Sequence, residues 1–224
     1  MLVKHFMTRD PVTLGPDDSL AKAREITQTR RIRHLPVVAG GDRLAGLISD
    51  RDIRSATPFP PGLDEPEGAA SWDRTPVAAV MTREVITVTP NEPIEDAAHL
   101  LCKHRIGSLP VVDGEGRLQG IVTHTDLLRA LIQTLGGSEP SSRIEVALPD
   151  EPGELARAMR VVGEDLGINI ATIVVPAQQG DKRKIAILHL NTIDPRPAID
   201  GLEAAGFQVG WPSLDADLRA ASRW

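Results

Sequence analysis

Two short segments hold the residue types whose spacing could do chemistry. Gly46-Leu47-Ile48-Ser49-Asp50-Arg51-Asp52 and Gly120-Ile121-Val122-Thr123-His124-Thr125-Asp126 share one pattern: glycine, two apolar residues, a hydroxyl residue, and an acid three positions later. In each, an apolar strand runs into the start of a helix, where unpaired backbone N–H groups and the helix dipole favour an anion. Ser49 or Thr123 offers a hydroxyl at that spot. Asp52 or Asp126 offers a carboxylate able to accept hydrogen bonds from two ribose hydroxyls. The set suits a nucleoside phosphate. The same spacing is also a capping box, in which hydroxyl and acid satisfy the first helical N–H groups. The two roles are compatible.

Other chemistries find little to work with. No P-loop, GxSxG, HExxH or dinucleotide-binding glycine pattern occurs, and no enzyme is expected. The single cysteine, Cys102, excludes an internal disulfide and a multi-cysteine zinc site. Of its neighbours His99 and His104, only the first shares a helix face with it, and Cys102 reads as core-facing packing. No metal and no cofactor are expected. The net charge of −6, from 25 Lys+Arg against 31 Asp+Glu, argues against nucleic acid as a partner. Three Trp, three Phe and no Tyr give no stacking platform for bases. The basic run Arg30-Arg31-Arg33-His34 reads either as a solvated helix end or as phosphate contact. MLVKHFMTRDPV lacks an apolar leader core, and no apolar stretch approaches the roughly 18 residues of a membrane span. These features predict a cytoplasmic protein with no membrane partner.

The elements that must position these groups come as a duplication. Residues 7–54 align without gaps on 81–128 at an offset of 74, with 17 identities over 48 positions, against about 3 from average residue frequencies. Each copy reads as β-α-β-β-α. A short apolar stretch (Val12–Leu14, Ile86–Val88) stops at a proline two residues on. A helix follows, with Asp17 or Asp18, and Asn91 or Glu92, as its start signals. A buried strand (Leu35–Val38, Leu109–Val112), a glycine turn and a second strand (Leu44–Ile48, Leu118–Val122) then form a hairpin. A unit of about 50 residues buries too little apolar surface to stand alone, so the copies are expected to pack together. Residues 57–75, with their prolines and acids, read as a linker.

The opening Met-Thr, the Leu-Pro-Val-Val strand and the glycine-to-aspartate segment, repeated at a fixed offset, resemble CBS domains, which occur as tandem pairs called Bateman modules. The resemblance covers about residues 1–135, with copies at 1–56 and 76–135. It implies two adenine-nucleotide pockets (AMP, ADP or ATP), each joining the acidic segment of one copy to the residues before the Leu-Pro-Val-Val strand of the other. One pocket would join Ser49, Arg51 and Asp52 to Thr87, Ile106, Gly107 and Ser108. The other would join Thr123, Thr125 and Asp126 to Thr13, Ile32, Arg33 and His34. The first has small Gly107 and Ser108 where a base would pack, and is expected to be the more open. The second has bulky Arg33 and His34 there, and is expected to be occluded or to use Arg33 as a phosphate clamp. S-adenosylmethionine or NAD(H) is an alternative ligand.

From residue 142 the pattern changes, after a linker at 136–141. A strand (Arg143–Pro149), a helix to Leu166, strands at Ile168–Val175 and Lys184–Leu190, a helix over Pro195–Ala205 and a strand at Phe207–Gly210 spell β-α-β-β-α-β, the ferredoxin-like order. Asp-x-Pro-Gly-x-Leu opening the first helix, with Gly-Ile-Asn-Ile at the second strand, resembles an ACT domain over about 142–212. The resemblance implies pairing of copies and amino-acid binding by the Asp150–Leu155 loop (Asp150, Pro152, Gly153, Glu154, Leu155), with Asn169 across from it. Residues 213–224 read as a short tail. The overall class is α/β (α+β). A Bateman module followed by an ACT domain resembles bacterial acetoin utilization regulatory proteins. That resemblance implies a homodimeric sensor acting on an unidentified protein partner; the alternative is a constitutive scaffold with vestigial pockets.

Overall fold

In the computed structural model, residues 1–56, 72–135, 141–176 and 183–211 are described. The chain divides into two compact units, Met1–Arg129 and Ala130–Trp224. The expected linker at 136–141 falls almost entirely outside the described residues, as does the tail.

Within the first unit the two copies follow the same path. Helix α1 (Leu20–Arg30) leads to the hairpin β2 (His34–Ala39) and β3 (Arg43–Ser49), then helix α2 (Asp50–Ala56). In the second copy α3 (Ile94–His104), β4 (Ser108–Val112), β5 (Leu118–Thr123) and α4 (His124–Thr134) repeat the order. Both hairpins carry the same register irregularity, between Val37 and Val38 and between Val111 and Val112. Both first helices end on a left-handed arginine, Arg31 and Arg105, at φ 54° and 53°. The first strand of each copy is shorter than the sequence predicts. Only Leu14 and Val88 bridge their neighbours, Val37 and Val111, in parallel. Pro16 and Pro90 stop the pairing, because proline has no N–H to add to a ladder.

The α1 start is also one residue off the sequence signal. Ser19 caps the helix by accepting from Lys22 N–H, while Asp18 accepts from Gly15 N–H and holds Lys22. Cys102 is exposed. The buried face of α3 is Ile94, Ala97 and Leu101, and Cys102 sits one position off it. Trp72–Arg74, assigned to the linker by composition, form a 3₁₀ turn whose Trp72 packs on the first copy's core, with the Arg24 guanidinium 5.3 Å from the ring centre. Residues 57–71 lie outside the described part.

What the copies exchange is their leading segments. Strand β1 (Thr8–Arg9), which opens the first copy, pairs with β5 of the second, giving the sheet order β1-β5-β4. Thr82, which opens the second copy, pairs with Leu47 in β3 of the first. Val3 N–H donates to the Glu92 carbonyl, and Val77 N–H to that of Asp18. Val77 and Met81 consequently belong to the core of the first copy, with Leu14, Leu20, Leu35, Val37, Ile48 and Ile53. Gly46 and Gly120 are the seats of this exchange. A Cβ on Gly46 would lie 2.6 Å from Met81 Sδ and 2.8 Å from the Thr82 carbonyl; on Gly120, 2.7 Å from the Thr8 carbonyl and 2.9 Å from Met7 Sδ. At the far ends the two hairpin turns pair with each other through Leu44 N–H to Gly116 and Leu118 N–H to Asp42.

The second unit has the ferredoxin-like topology that the sequence predicts. Its strands β6 (Ser142–Pro149), β7 (Ile170–Val174), β8 (Arg183–Leu190) and β9 (Gln208–Gly210) form an antiparallel sheet in the order β7-β8-β6-β9. Helices α5 (Glu154–Arg160) and α6 (Arg196–Ala204) complete it. The core joins Ile144, Val146 and Leu148 of β6 to Leu188 and Leu190 of β8, Ala158 of α5 and Leu202 of α6. The first helix reaches Leu166 only by widening into a π turn at Val161–Asp165.

Candidate functional site

The two acidic segments fold as the capping reading predicts. Ser49 donates to Asp52 Oδ2 from both its N–H (2.8 Å) and its hydroxyl (2.7 Å), and Asp52 N–H donates back to Ser49 Oγ at 3.2 Å. Thr123 donates to Asp126 Oδ2 from its N–H (2.9 Å) and its hydroxyl (2.8 Å). One carboxylate oxygen in each copy is therefore committed to holding the strand-to-helix corner.

The other oxygen differs between copies. Asp126 Oδ1 receives Arg129 Nη1 at 3.1 Å, and the Asp126 side chain is 7% exposed. Asp52 is half-buried, and among the described residues no donor bonds its Oδ1. The nearby Arg54 turns instead to Asp50, at 2.9 Å.

Hairpin register decides what stands beside each acid. His34 lies opposite Ser49, and Asp50 N–H donates to the Arg33 carbonyl. Ser108 lies opposite Thr123, and His124 N–H donates to the Gly107 carbonyl. Each copy's residues before Leu-Pro-Val-Val thus flank that copy's own acid, because the open ends of a hairpin meet. At these corners the first copy also reaches the second through His34, whose ring atoms Cε1 and Nε2 lie 2.8 Å from where a Cβ on Gly107 would be. Burial holds the His34 pKa below its ordinary value; Asp50 and Asp52 pull it up, and Arg33 and His124 push it down.

The remaining residues named from the sequence are distributed around these corners. Thr13 and Thr87 are half-buried and directly precede the bridging Leu14 and Val88. Ile32 packs on the first copy's core, and Ile106 N–H donates to the Leu101 carbonyl. Arg33, Arg51 and Thr125 are exposed. Ser108 is 2% exposed, and its Oγ has no hydrogen-bond partner among the described residues. A buried hydroxyl without a partner costs about 1–3 kcal/mol. The sequence reading did not single out His34 as the bridge between copies or Arg129 as a partner of Asp126. The Arg129 spacing, i to i+3 on a helix, is the signal that could have found it.

In the second unit the expected amino-acid loop is only partly assembled. Gly153 adopts φ 94°, which explains a glycine there, and a Cβ would meet nothing within 4 Å. Asp150 pairs with Lys184, and Glu154 with Arg157, which also stacks 4.2 Å over the Phe207 ring. Pro152 and Leu155 are exposed. Asn169 is not across from this loop. Ile170 pairs with Leu190, which pairs with Ser142 at the start of β6, whereas Asp150 follows Pro149 at its end. A helix crossover returns the chain to the end where the first strand began, so β7 starts a full strand length away.

Two β-α-β-β-α copies, each with a hydroxyl–carboxylate corner at a strand-to-helix junction and with their leading segments exchanged, define a paired α/β module. The CBS domain family model matches residues 3–58 and 77–133, and the chain belongs to the CBS domain family. A CBS domain-containing protein of Dictyostelium discoideum is 36% identical over 144 residues, covering 63% of this chain and 99% of that one. Inosine-5′-monophosphate dehydrogenase of Bifidobacterium longum is 28% identical, and the chain spans about a third (35%) of its length. Among solved structures, AcuB from Vibrio cholerae, whose name points to acetoin utilization, matches with a TM-score of 0.52 and 32% identity, covering 62% of this chain and 98% of that one. The CBS domain pair of protein MJ0100, in complex with 5′-methylthioadenosine and S-adenosyl-L-methionine, matches at 0.50 with 31% identity over 62% and 98%. CBSX2 in complex with AMP matches at 0.50 with 27% identity over 59% and 96%. No helix among the described residues is long and apolar enough to cross a membrane.

Proposed function

We propose that this chain is a non-catalytic, ligand-sensing regulator that binds an adenine nucleotide, AMP, ADP or ATP, at its CBS pair. The observation that carries the reading is Asp52. Its Oδ2 fixes the corner while its Oδ1, half-buried beside exposed Arg51, accepts no bond among the described residues. A carboxylate oxygen with two lone pairs suits a ribose diol. At the Asp126 corner the Ser108 hydroxyl, unpartnered among the described residues, adds a polar group that a bound base could satisfy after a small rearrangement. The AMP complex of CBSX2 supports a nucleotide, and the MJ0100 complex supports S-adenosylmethionine as the second candidate. In this reading the C-terminal unit is an ACT-type module that pairs two copies or senses an amino acid, and acetoin utilization is the physiological setting.

Calorimetric titration of the full chain with AMP, ADP, ATP, NADH and S-adenosylmethionine tests the proposal. Saturable binding that Asp52→Ala weakens by about 1–3 kcal/mol, roughly 5- to 150-fold, supports it. Equal binding by the variant and the parent overturns the site. The capping boxes, complete without any ligand, favour a constitutive scaffold as the second reading, and absence of binding across the panel would establish it.

A further inference from the structure

The two copies place different residues three positions after the acid. Beyond Asp126 stands Arg129, whose guanidinium holds Oδ1 at 3.1 Å. Beyond Asp52 stands Ser55, an exposed residue, and Arg54 is drawn away to the Asp50 carboxylate and carbonyl. Asp126 thus has both oxygens engaged, one by Thr123 and one by Arg129, while Asp52 has one engaged.

We propose that Arg129 is an internal competitor for the ribose-binding oxygen of Asp126, so that the two sites of the pair fill in sequence, the Asp52 site first. The inference rests on the nucleotide reading above and deepens it by ranking the sites. A ribose hydroxyl reaching Asp126 must displace a charge-assisted bond; one reaching Asp52 displaces only water. The Arg129 side chain is 63% exposed, which sets the scale of the effect. A solvent-screened pair of this kind changes an affinity by about two- to fivefold, enough to order two sites without closing either.

The proposal predicts the outcome of exchanging the two residues. In full-length Asp52→Ala protein, which leaves the Asp126 site, Arg129→Ser is expected to raise adenosine affinity by about two- to fivefold. In Asp126→Ala protein, Ser55→Arg is expected to lower it by a similar factor. Adenosine is the probe because it has no phosphate for an arginine to attract. Both substituted positions are on the exposed faces of their helices, and thermal melts confirm that each variant is folded. Adenosine affinity unchanged or reduced by Arg129→Ser overturns the competitor role while leaving nucleotide binding intact. Absence of adenosine and AMP binding in the parent protein overturns both readings together.

Discussion

The two copies of the CBS pair share a backbone and differ in charge placement. Each closes the corner between its second hairpin strand and its second helix with the same hydroxyl–carboxylate box. Around that box the first copy carries Arg33, His34 and Arg51, and the second carries Gly107, Ser108 and Thr125. The backbone is held by apolar positions that the duplication preserves: Leu35 and Leu109, Val37 and Val111, Ala23 and Ala97, all fully buried. The rim residues, Ser108 apart, are exposed or half-buried, and they differ between the copies. A symmetric scaffold therefore presents two unequal corners, one with an open carboxylate oxygen and one with that oxygen tied to an arginine.

The largest expected effect tests the symmetric half of this comparison. Gly46→Ala and Gly120→Ala should each destabilise the protein by about 1–3 kcal/mol in urea unfolding, because a methyl group meets backbone carbonyls that cannot yield. Gly114→Ala, where nothing lies within 4 Å, should be near neutral. A large difference between the first two variants would break the equivalence of the exchanged segments.

A smaller effect sharpens the asymmetric half. Asp126→Ala should cost about 1 kcal/mol more stability than Asp52→Ala, since it removes an extra charged partner from a carboxylate that is nearly inaccessible. Equal losses would mean that the Arg129 contact contributes nothing.

The smallest effect is a pH dependence belonging to one copy. Because burial depresses the His34 pKa, the unfolded chain takes up a proton near the ordinary value of 6.5 while the folded chain resists it to lower pH. The His34 contribution is fully present above that value and declines as pH falls below it. His34→Gln should flatten the decline in melting temperature between pH 7 and 5, the interval in which the parent protein is expected to lose stability. Ser108→Ala at the matching position of the other copy should leave the slope unchanged. His189, shifted the same way by burial and Arg143, supplies a background slope that both variants retain.

Most of the architecture was legible in the sequence, and for physical reasons. Apolar periodicity and glycine turns are local, so the hairpins, both helices of each copy and the C-terminal β-α-β-β-α-β order could be read directly. The capping boxes were legible because their partners are three residues apart. What only the tertiary structure decided are relations between distant segments. The exchange of Met7–Arg9 and Met81–Arg83 between copies was one. Both are written Met-Thr-Arg, and the glycines they lean on recur at the same offset, yet neither fact says which copy receives which segment. Asn169 was misplaced for the same reason, since its distance from Asp150 follows from strand order and crossover direction. His34 against Gly107 could not be read at all, because a side chain bridging two copies has no sequence period. Composition and local spacing determine elements and their caps. Which surfaces meet is settled by burying every apolar face at once, and that is a property of the whole folded chain.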